Sequence, residues 1–174
     1  HCNMTKFKII TLGCRVNQAE SEAIADRLTE ANWAPAGPHE PADLCIVNTC
    51  AVTQRAAMQS RQAIRRAIQD HPGACVAATG CYAQTDPQAL LKIKGLGGLI
   101  DQQDKLRLPE ILPAAAQPLS PPLTKGAGGI SPTAFSILPA AAARTRPFLK
   151  IQDGCEAFCA YCIVPYARGP SRSA

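Results

Sequence analysis

Lys6-Phe7-Lys8-Ile9-Ile10-Thr11-Leu12 is a short, β-rich apolar run that ends at Gly13-Cys14 and is followed by a helical stretch over 19–31. A second run, 43–47, leads into Asn48-Thr49-Cys50 and a longer helix over about 56–70 that stops at His71-Pro72-Gly73. A third, 74–79, meets Gly80-Cys81 and a short helix over 87–92, and a further strand is expected near 96–100. Apolar strands without polar alternation, separated by helical crossovers, predict a parallel sheet covered by helices on both faces. The fold class is therefore α/β, with one domain over 6–112 behind a tail of residues 1–5 and no internal repeat.

Beyond that domain the composition changes. Gln117-Pro118-Leu119-Ser120-Pro121-Pro122 and Lys125-Gly126-Ala127-Gly128-Gly129 are typical of 113–145, and such a Pro/Ala/Gly/Ser mixture cannot build a core. This is read as a linker, with one short strand expected around 134–138. Arg146-Pro147-Phe148-Leu149-Lys150-Ile151-Gln152 then opens a new strand, so 146–174 is expected to be the start of a second, incomplete domain. A length of 174 residues fits that division, being enough for one well-cored domain and a piece of another.

Composition narrows the function classes. With 47% hydrophobic and 18% charged residues the chain suits a globular protein better than a disordered tail. No apolar run approaches the roughly 20 residues of a spanning helix, and the N-terminal residues lead into a strand instead of forming a signal peptide. A cytoplasmic protein without membrane contact is expected. The formal charge of +5 helps approach to a polyanion without identifying one. Nine cysteines in a chain with no export signal point to metal or redox chemistry instead of structural disulfides.

Cys155-Glu156-Ala157-Phe158-Cys159-Ala160-Tyr161-Cys162 places three thiols in a C-x3-C-x2-C spacing directly after a strand. A [4Fe–4S] cluster normally takes four cysteinyl ligands. Three thiols with no Cys or His following them leave one iron open for a further ligand. The alternative, a zinc knuckle or half-ribbon, would show C-x2-C pairs and a fourth ligand. Cys14, Cys50 and Cys81 form a second set by position, each just past the C-terminal end of a predicted strand. In an open parallel sheet those ends share one edge, where ligands collect. Cys45 and Cys75 lie inside strands and read as small buried hydrophobes; no role follows for Cys2.

These residues carry a family resemblance. Thr11-Leu12-Gly13-Cys14-Arg15-Val16-Asn17-Gln18, Asn48-Thr49-Cys50-Ala51-Val52-Thr53, Thr79-Gly80-Cys81-Tyr82-Ala83-Gln84, and Lys150-Ile151-Gln152-Asp153-Gly154-Cys155 through Cys162-Ile163-Val164-Pro165-Tyr166-Ala167-Arg168-Gly169 resemble the radical S-adenosylmethionine methylthiotransferases. The likeness covers roughly 6–112 and 146–174. Asn48-Thr49-Cys50, Ser60-Arg61-Gln62 and Gly80-Cys81-Tyr82-Ala83-Gln84 look most like the branch that modifies N6-threonylcarbamoyladenosine beside the tRNA anticodon.

The resemblance implies two [4Fe–4S] clusters and S-adenosylmethionine. Cys155, Cys159 and Cys162 would hold the cluster whose open iron chelates S-adenosylmethionine, with Tyr161 flanking that cofactor. One-electron reduction, from a donor such as flavodoxin or ferredoxin, would give a 5′-deoxyadenosyl radical that takes hydrogen from C2 of the adenine. Cys14, Cys50 and Cys81 would hold an auxiliary cluster carrying the sulfur, and a second S-adenosylmethionine would supply the methyl group. The substrate would be the anticodon stem-loop of a tRNA. Family members continue through a partial (β/α) barrel into a small β-rich RNA-binding domain, so this chain alone is expected to be an inactive fragment.

Two rival readings stand beside it. A non-catalytic iron–sulfur or zinc-binding module would need a fourth protein ligand at each site. A ribosomal-protein methylthiotransferase would be expected to carry Pro-Lys where this sequence has Arg15-Val16. Arg55, Arg61, Arg65 and Arg66 lie on or near the 56–70 helix, where the preferred reading is a solvated face and the alternative a phosphate-contacting stripe. Arg168 and Arg172, in a Gly/Pro/Ser-containing stretch, read equally as tRNA contacts or as exposed residues.

Overall fold

The computed structural model describes residues 5–102, 104–111 and 150–173. Cys2, the 113–145 linker with its expected strand, and residues 146–149 lie outside the described residues. The first strand, β1 (Lys6–Thr11), leads to α1 (Arg15–Glu30); β2 (Ala34–Pro35) and β3 (Leu44–Thr49) follow, and then α2 (Gln54–Asp70). Next come β4 (Cys75–Gly80), α3 (Cys81–Thr85), α4 (Pro87–Leu91), β5 (Gly98–Leu99), a 3-10 turn at Lys105–Arg107 and α5 (Leu108–Ile111). All pairings among β1 to β5 are parallel, in the order β2-β1-β3-β4-β5, as the apolar strands predict.

Alternation along the strands sorts side chains onto two faces. Phe7, Leu44 and Ile46 pack with Ile24 and Leu28 of α1 and with Leu108 of α5. Cys45, Val47, Val76 and Ala78 pack with Ile64 and Ala67 of α2, Tyr82 of α3 and Leu90 of α4. The helix after β1 and the helix after β3 thus cover opposite faces. In this strand order, that reversal makes the C-terminal edge between β1 and β3 the topological switch point, the usual ligand crevice of an open α/β sheet.

Element ends follow local chemistry. Thr53 caps α2 by accepting from the Ala56 amide at 3.1 Å, and Asp86 caps α4 by accepting from the Ala89 amide at 3.1 Å, with Pro87 at the first turn. Helix α1 begins at Arg15 instead of near residue 19, and β3 runs on to Thr49 instead of stopping at Val47. In both places polar residues continue the element because their side chains bond to backbone: Asn17 sits in α1 and bonds the Leu12 and Thr49 carbonyls, and Thr49 bonds the Thr79 carbonyl.

The second segment departs from expectation. Its described strand is β6 (Gln152–Asp153), paired antiparallel with β7 (Arg172–Ser173), and α6 (Val164–Arg168) lies between them. Lys150 and Ile151, placed in a strand by the sequence pattern, are not in one; the Lys150 ammonium turns to Glu20 and Asp153 at 2.8 and 2.9 Å.

Gly80 tests how tightly the strand ends are packed. Its φ is +95°, and a Cβ there would lie 2.3 Å from the Thr49 carbonyl oxygen and 2.6 Å from Asn48 Oδ1. Gly80→Ala is expected to cost at least about 2 kcal/mol through backbone strain and overpacking, measured by urea unfolding. A change within roughly 0.5 kcal/mol, the range of an ordinary surface substitution, would contradict this packing.

Candidate functional site

The register places the first three thiols on one edge. Thr11 pairs with Asn48 and Asn48 with Thr79, while Thr49 pairs with Gly80. Cys50 and Cys81 are each the next residue after that last pair, and Cys14 follows β1 by three residues. Strands β1, β3 and β4 are direct neighbours, about 4.8 Å apart each, so the three cysteines are drawn from adjacent positions around the switch point.

Side chains bonded to backbone pin each cysteine turn. Asn17, fully buried, donates to the Leu12 carbonyl at 2.8 Å and the Thr49 carbonyl at 3.0 Å, tying the Cys14 turn to the end of β3. Ser60 Oγ accepts from the Cys50 amide at 3.1 Å. Thr49 Oγ1 donates to the Thr79 carbonyl at 2.5 Å and accepts from the Ala83 amide at 3.3 Å, fixing the turn that carries Cys81. Gly13 (φ +94°) is in direct contact with Cys50: a Cβ on Gly13 would fall 2.6 Å from both Cβ and Sγ of Cys50. Only glycine lets the Cys14 turn approach Cys50 this closely.

Cys14 is exposed, while Cys50 and Cys81 are buried. Burial pushes the Cys81 thiol up, opposed by the Arg168 and Lys105 cations. Cys45 lies in the core between the sheet and α2, and burial also pushes its thiol and that of Cys75 up. Cys45 is thus the small core residue the sequence indicates, whereas Cys75 is only half-buried. As placed, the described residues include no group of three or more His, Cys, Asp or Glu side chains that could hold a metal ion. Register brings Cys14, Cys50 and Cys81 to neighbouring strand ends, but as placed their side chains do not converge into such a group.

The second set lies on the loop between β6 and α6. The Cys155 amide donates to the Gly169 carbonyl at 3.1 Å, closing the loop, and the Cys162 amide donates to the Cys159 carbonyl at 2.9 Å. Cys159 is exposed, and Cys155 and Cys162 are half-buried. Phe158 and Tyr166 meet edge to face at 5.7 Å, and Tyr161 is 93% exposed. The loop offers three accessible thiols beside an open aromatic surface.

The two segments meet in a buried ion cluster that the sequence reading missed. Glu20 of α1 receives Lys105 at 2.7 Å, Lys150 at 2.8 Å and Arg168 at 2.7 Å. Arg168 also donates to Asp153 at 2.8 Å and to Asn17 Oδ1 at 2.9 Å. Burial alone would raise the Glu20 pKa, but Lys105, Arg168 and Lys150 outweigh it and hold the carboxyl well below the usual carboxylate range. Burial likewise disfavours the Arg168 charge, and Glu20 and Asp153 more than restore it. Arg168 is therefore not an exposed residue: only 9% of it is accessible, and both of its terminal nitrogens are bonded within the chain. Arg172 is half-buried, 3.8 Å from Asp153. No periodicity marks Glu20, which occupies a helix position ordinarily read as solvated.

The arginines of α2 do not form one stripe. Arg61 turns inward, bonding the Tyr82 hydroxyl and covering its ring at 5.6 Å, while Arg55, Arg65 and Arg66 are exposed. Among the described residues no helix is long and apolar enough to cross a membrane.

With this geometry in place, comparison with known proteins is specific. The profile of Uncharacterized protein family UPF0004 matches residues 6–100, the part that carries Cys14, Cys50 and Cys81. The chain belongs to this family. A Bacillus subtilis (strain 168) protein named threonylcarbamoyladenosine tRNA methylthiotransferase MtaB is 39% identical over 166 residues, covering 94% of this chain and 36% of its own length. A Chlamydia pneumoniae protein of the same name is 37% identical over 168 residues, covering 96% and 37%. A tRNA-2-methylthio-N(6)-dimethylallyladenosine synthase from Sphingopyxis alaskensis is 31% identical over 172 residues, covering 94% and 37%. This UPF0004 chain thus spans little more than a third of each of these relatives. The aligned stretch takes in both cysteine sets.

Glu20→Gln is expected to destabilise the chain by about 3–5 kcal/mol near pH 7, because it leaves buried cations short of a partner. The sign with pH follows from the depressed pKa. The Glu20 contribution is complete above the ordinary carboxylate value of 4.5 and is lost as pH falls toward the lower folded value. Urea titrations in an acid series should show a stability difference between the unmodified chain and Glu20→Gln that narrows as pH drops. A difference that stays constant would show that Glu20 is not charged in the fold.

Proposed function

We propose that this chain carries the cluster-bearing part of a radical S-adenosylmethionine methylthiotransferase that acts on tRNA. The observation that carries the proposal is the placement of Cys14, Cys50 and Cys81 at the ends of adjacent parallel strands beside the switch point, with a C-x3-C-x2-C loop fastened to the same edge. Three thiols per set leave a [4Fe–4S] cluster one iron without a cysteinyl ligand. In this reading 6–112 is the auxiliary-cluster domain, 113–145 a linker and 146–174 the start of the radical domain.

The chain's own residues have separable tasks. Gly13 lets the Cys14 turn come directly against Cys50, and Asn17, Ser60 and Thr49 hold the three turns that carry the thiols. Cys155, Cys159 and Cys162 bind the second cluster and Tyr161 flanks S-adenosylmethionine. The clusters and S-adenosylmethionine, when bound, supply the radical and sulfur chemistry that places a methylthio group on C2 of an adenosine. Arg55, Arg65 and Arg66 face solvent on one side of the domain, where they favour approach of a polyanion.

The substrate proposed is N6-threonylcarbamoyladenosine in a tRNA anticodon stem-loop, with a flavodoxin or ferredoxin as electron donor, in the cytoplasm. Identities of 39% and 37% to two relatives named for threonylcarbamoyladenosine, against 31% to one named for dimethylallyladenosine, favour that substrate. Arg15-Val16 after the first cysteine likewise favours a tRNA enzyme over a ribosomal-protein one.

Anaerobic reconstitution with iron and sulfide tests the core of the proposal. About eight irons per chain are expected, falling to about four in Cys14→Ala/Cys50→Ala/Cys81→Ala and to about four in Cys155→Ala/Cys159→Ala/Cys162→Ala. Loss of iron with the second triple variant alone would remove the auxiliary cluster from this reading. Stoichiometric zinc with no cluster absorbance would overturn the radical assignment.

A further inference from the structure

We propose that Arg168 is a positioning residue that latches the second cysteine segment onto the first domain and thereby closes access to Cys81. The contacts behind it lie within the chain and do not depend on the proposed function.

Arg168 is the last residue of α6, and α6 packs against α3, whose first residue is Cys81. From there its guanidinium makes bonds in two directions. It reaches Asn17 and Glu20 of α1 in the first domain at 2.9 and 2.7 Å, and Asp153 of its own segment at 2.8 Å. Lys150 makes the same bridge from the other end of the segment, 2.8 Å from Glu20 and 2.9 Å from Asp153. These contacts fasten the segment to α1, while α6 itself lies against α3, whose first residue, Cys81, is only 5% exposed.

The apolar part of this interface is thin. Among the described residues of the second segment, the buried apolar side chains are Pro165 and Ala167, while Phe158, Tyr161, Tyr166 and Ile151 are exposed. A seam cavity of about 180 Å³, lined by Gln84, Gln102, Tyr166 and Arg172 among others, shows that packing there is incomplete. Charge and hydrogen bonding therefore hold the segment in place, with Arg168 as the central fork. If the segment lifts, Glu20 keeps Lys105 as a partner at 2.7 Å, so the first domain remains folded with its edge uncovered. That asymmetry makes the seam a latch instead of a fold-wide contact.

The test uses the 174-residue chain without iron. Iodoacetamide alkylation of each cysteine is followed by mass spectrometry in the unmodified chain, in Arg168→Gln and in Arg168→Lys. Arg168→Gln is expected to raise the Cys81 rate by about tenfold or more, the effect of losing one charged hydrogen bond on an opening equilibrium. Cys45, inside β3, should remain protected. Arg168→Lys should fall between the two, because an ammonium restores charge but not a planar fork that spans three partners. A Cys81 rate unchanged in Arg168→Gln overturns the latch. If that variant loses its fold, so that Cys45 reacts as well, native-state hydrogen exchange on the unmodified chain decides. Shared opening of 81–85 with 164–168, below the global unfolding energy, supports the latch; protection of 81–85 that persists while 164–168 exchanges freely overturns it.

Discussion

A carboxylate removed from water has to be met by charge, and Glu20 is met from three places in the chain at once. Lys105 approaches from the turn after the sheet, and Lys150 and Arg168 from either end of the second segment. Because the cost of a buried, unpaired charge is several kcal/mol, this carboxylate determines how the second segment sits on the first domain. Residues from both cysteine-bearing segments meet in that ion cluster. Their mutual placement is an electrostatic matter before it is one of apolar packing.

The sheet contributes the other half of the site. With β1, β3 and β4 as neighbours and helices α1 and α2 on opposite faces, the turns carrying Cys14 and Cys50 meet at the strand ends, where Gly13 abuts Cys50. Around that edge the polar residues of the cysteine motifs are structural. Asn17 links two turns, Ser60 holds the Cys50 amide, and Thr49 bridges to the β4 end. Residues that resemble a signature of chemistry thus also brace the turns that carry the thiols.

Much of this was legible in the sequence because it depends on local patterns. The apolar runs around Ile9, Ile46 and Ala77 announced parallel strands, and each cysteine's position just past a run announced a shared edge. What was not legible depends on long-range charge. Glu20 looks like any solvated helix residue until Arg168, far away in the chain, is folded against it. Arg168 looks like a surface cation for the same reason. Arg61 was similarly misplaced on a solvated face, since only the tertiary position of Tyr82 gives it an aromatic partner. Short elements such as β2 and α3 carry too few residues to show a period.

The parallel register has a consequence for chain length. Crossover loops run over the surface, and closing a longer one costs only a logarithmic increment of entropy, so insertions between β1 and β3 or between β3 and β4 would be absorbed with little penalty. The few residues from each strand end to its cysteine have no such slack, because Gly13 already touches Cys50 and Gly80 already abuts Thr49. Added length is therefore tolerated on the helical side of each crossover and resisted in the few residues that join strand to thiol.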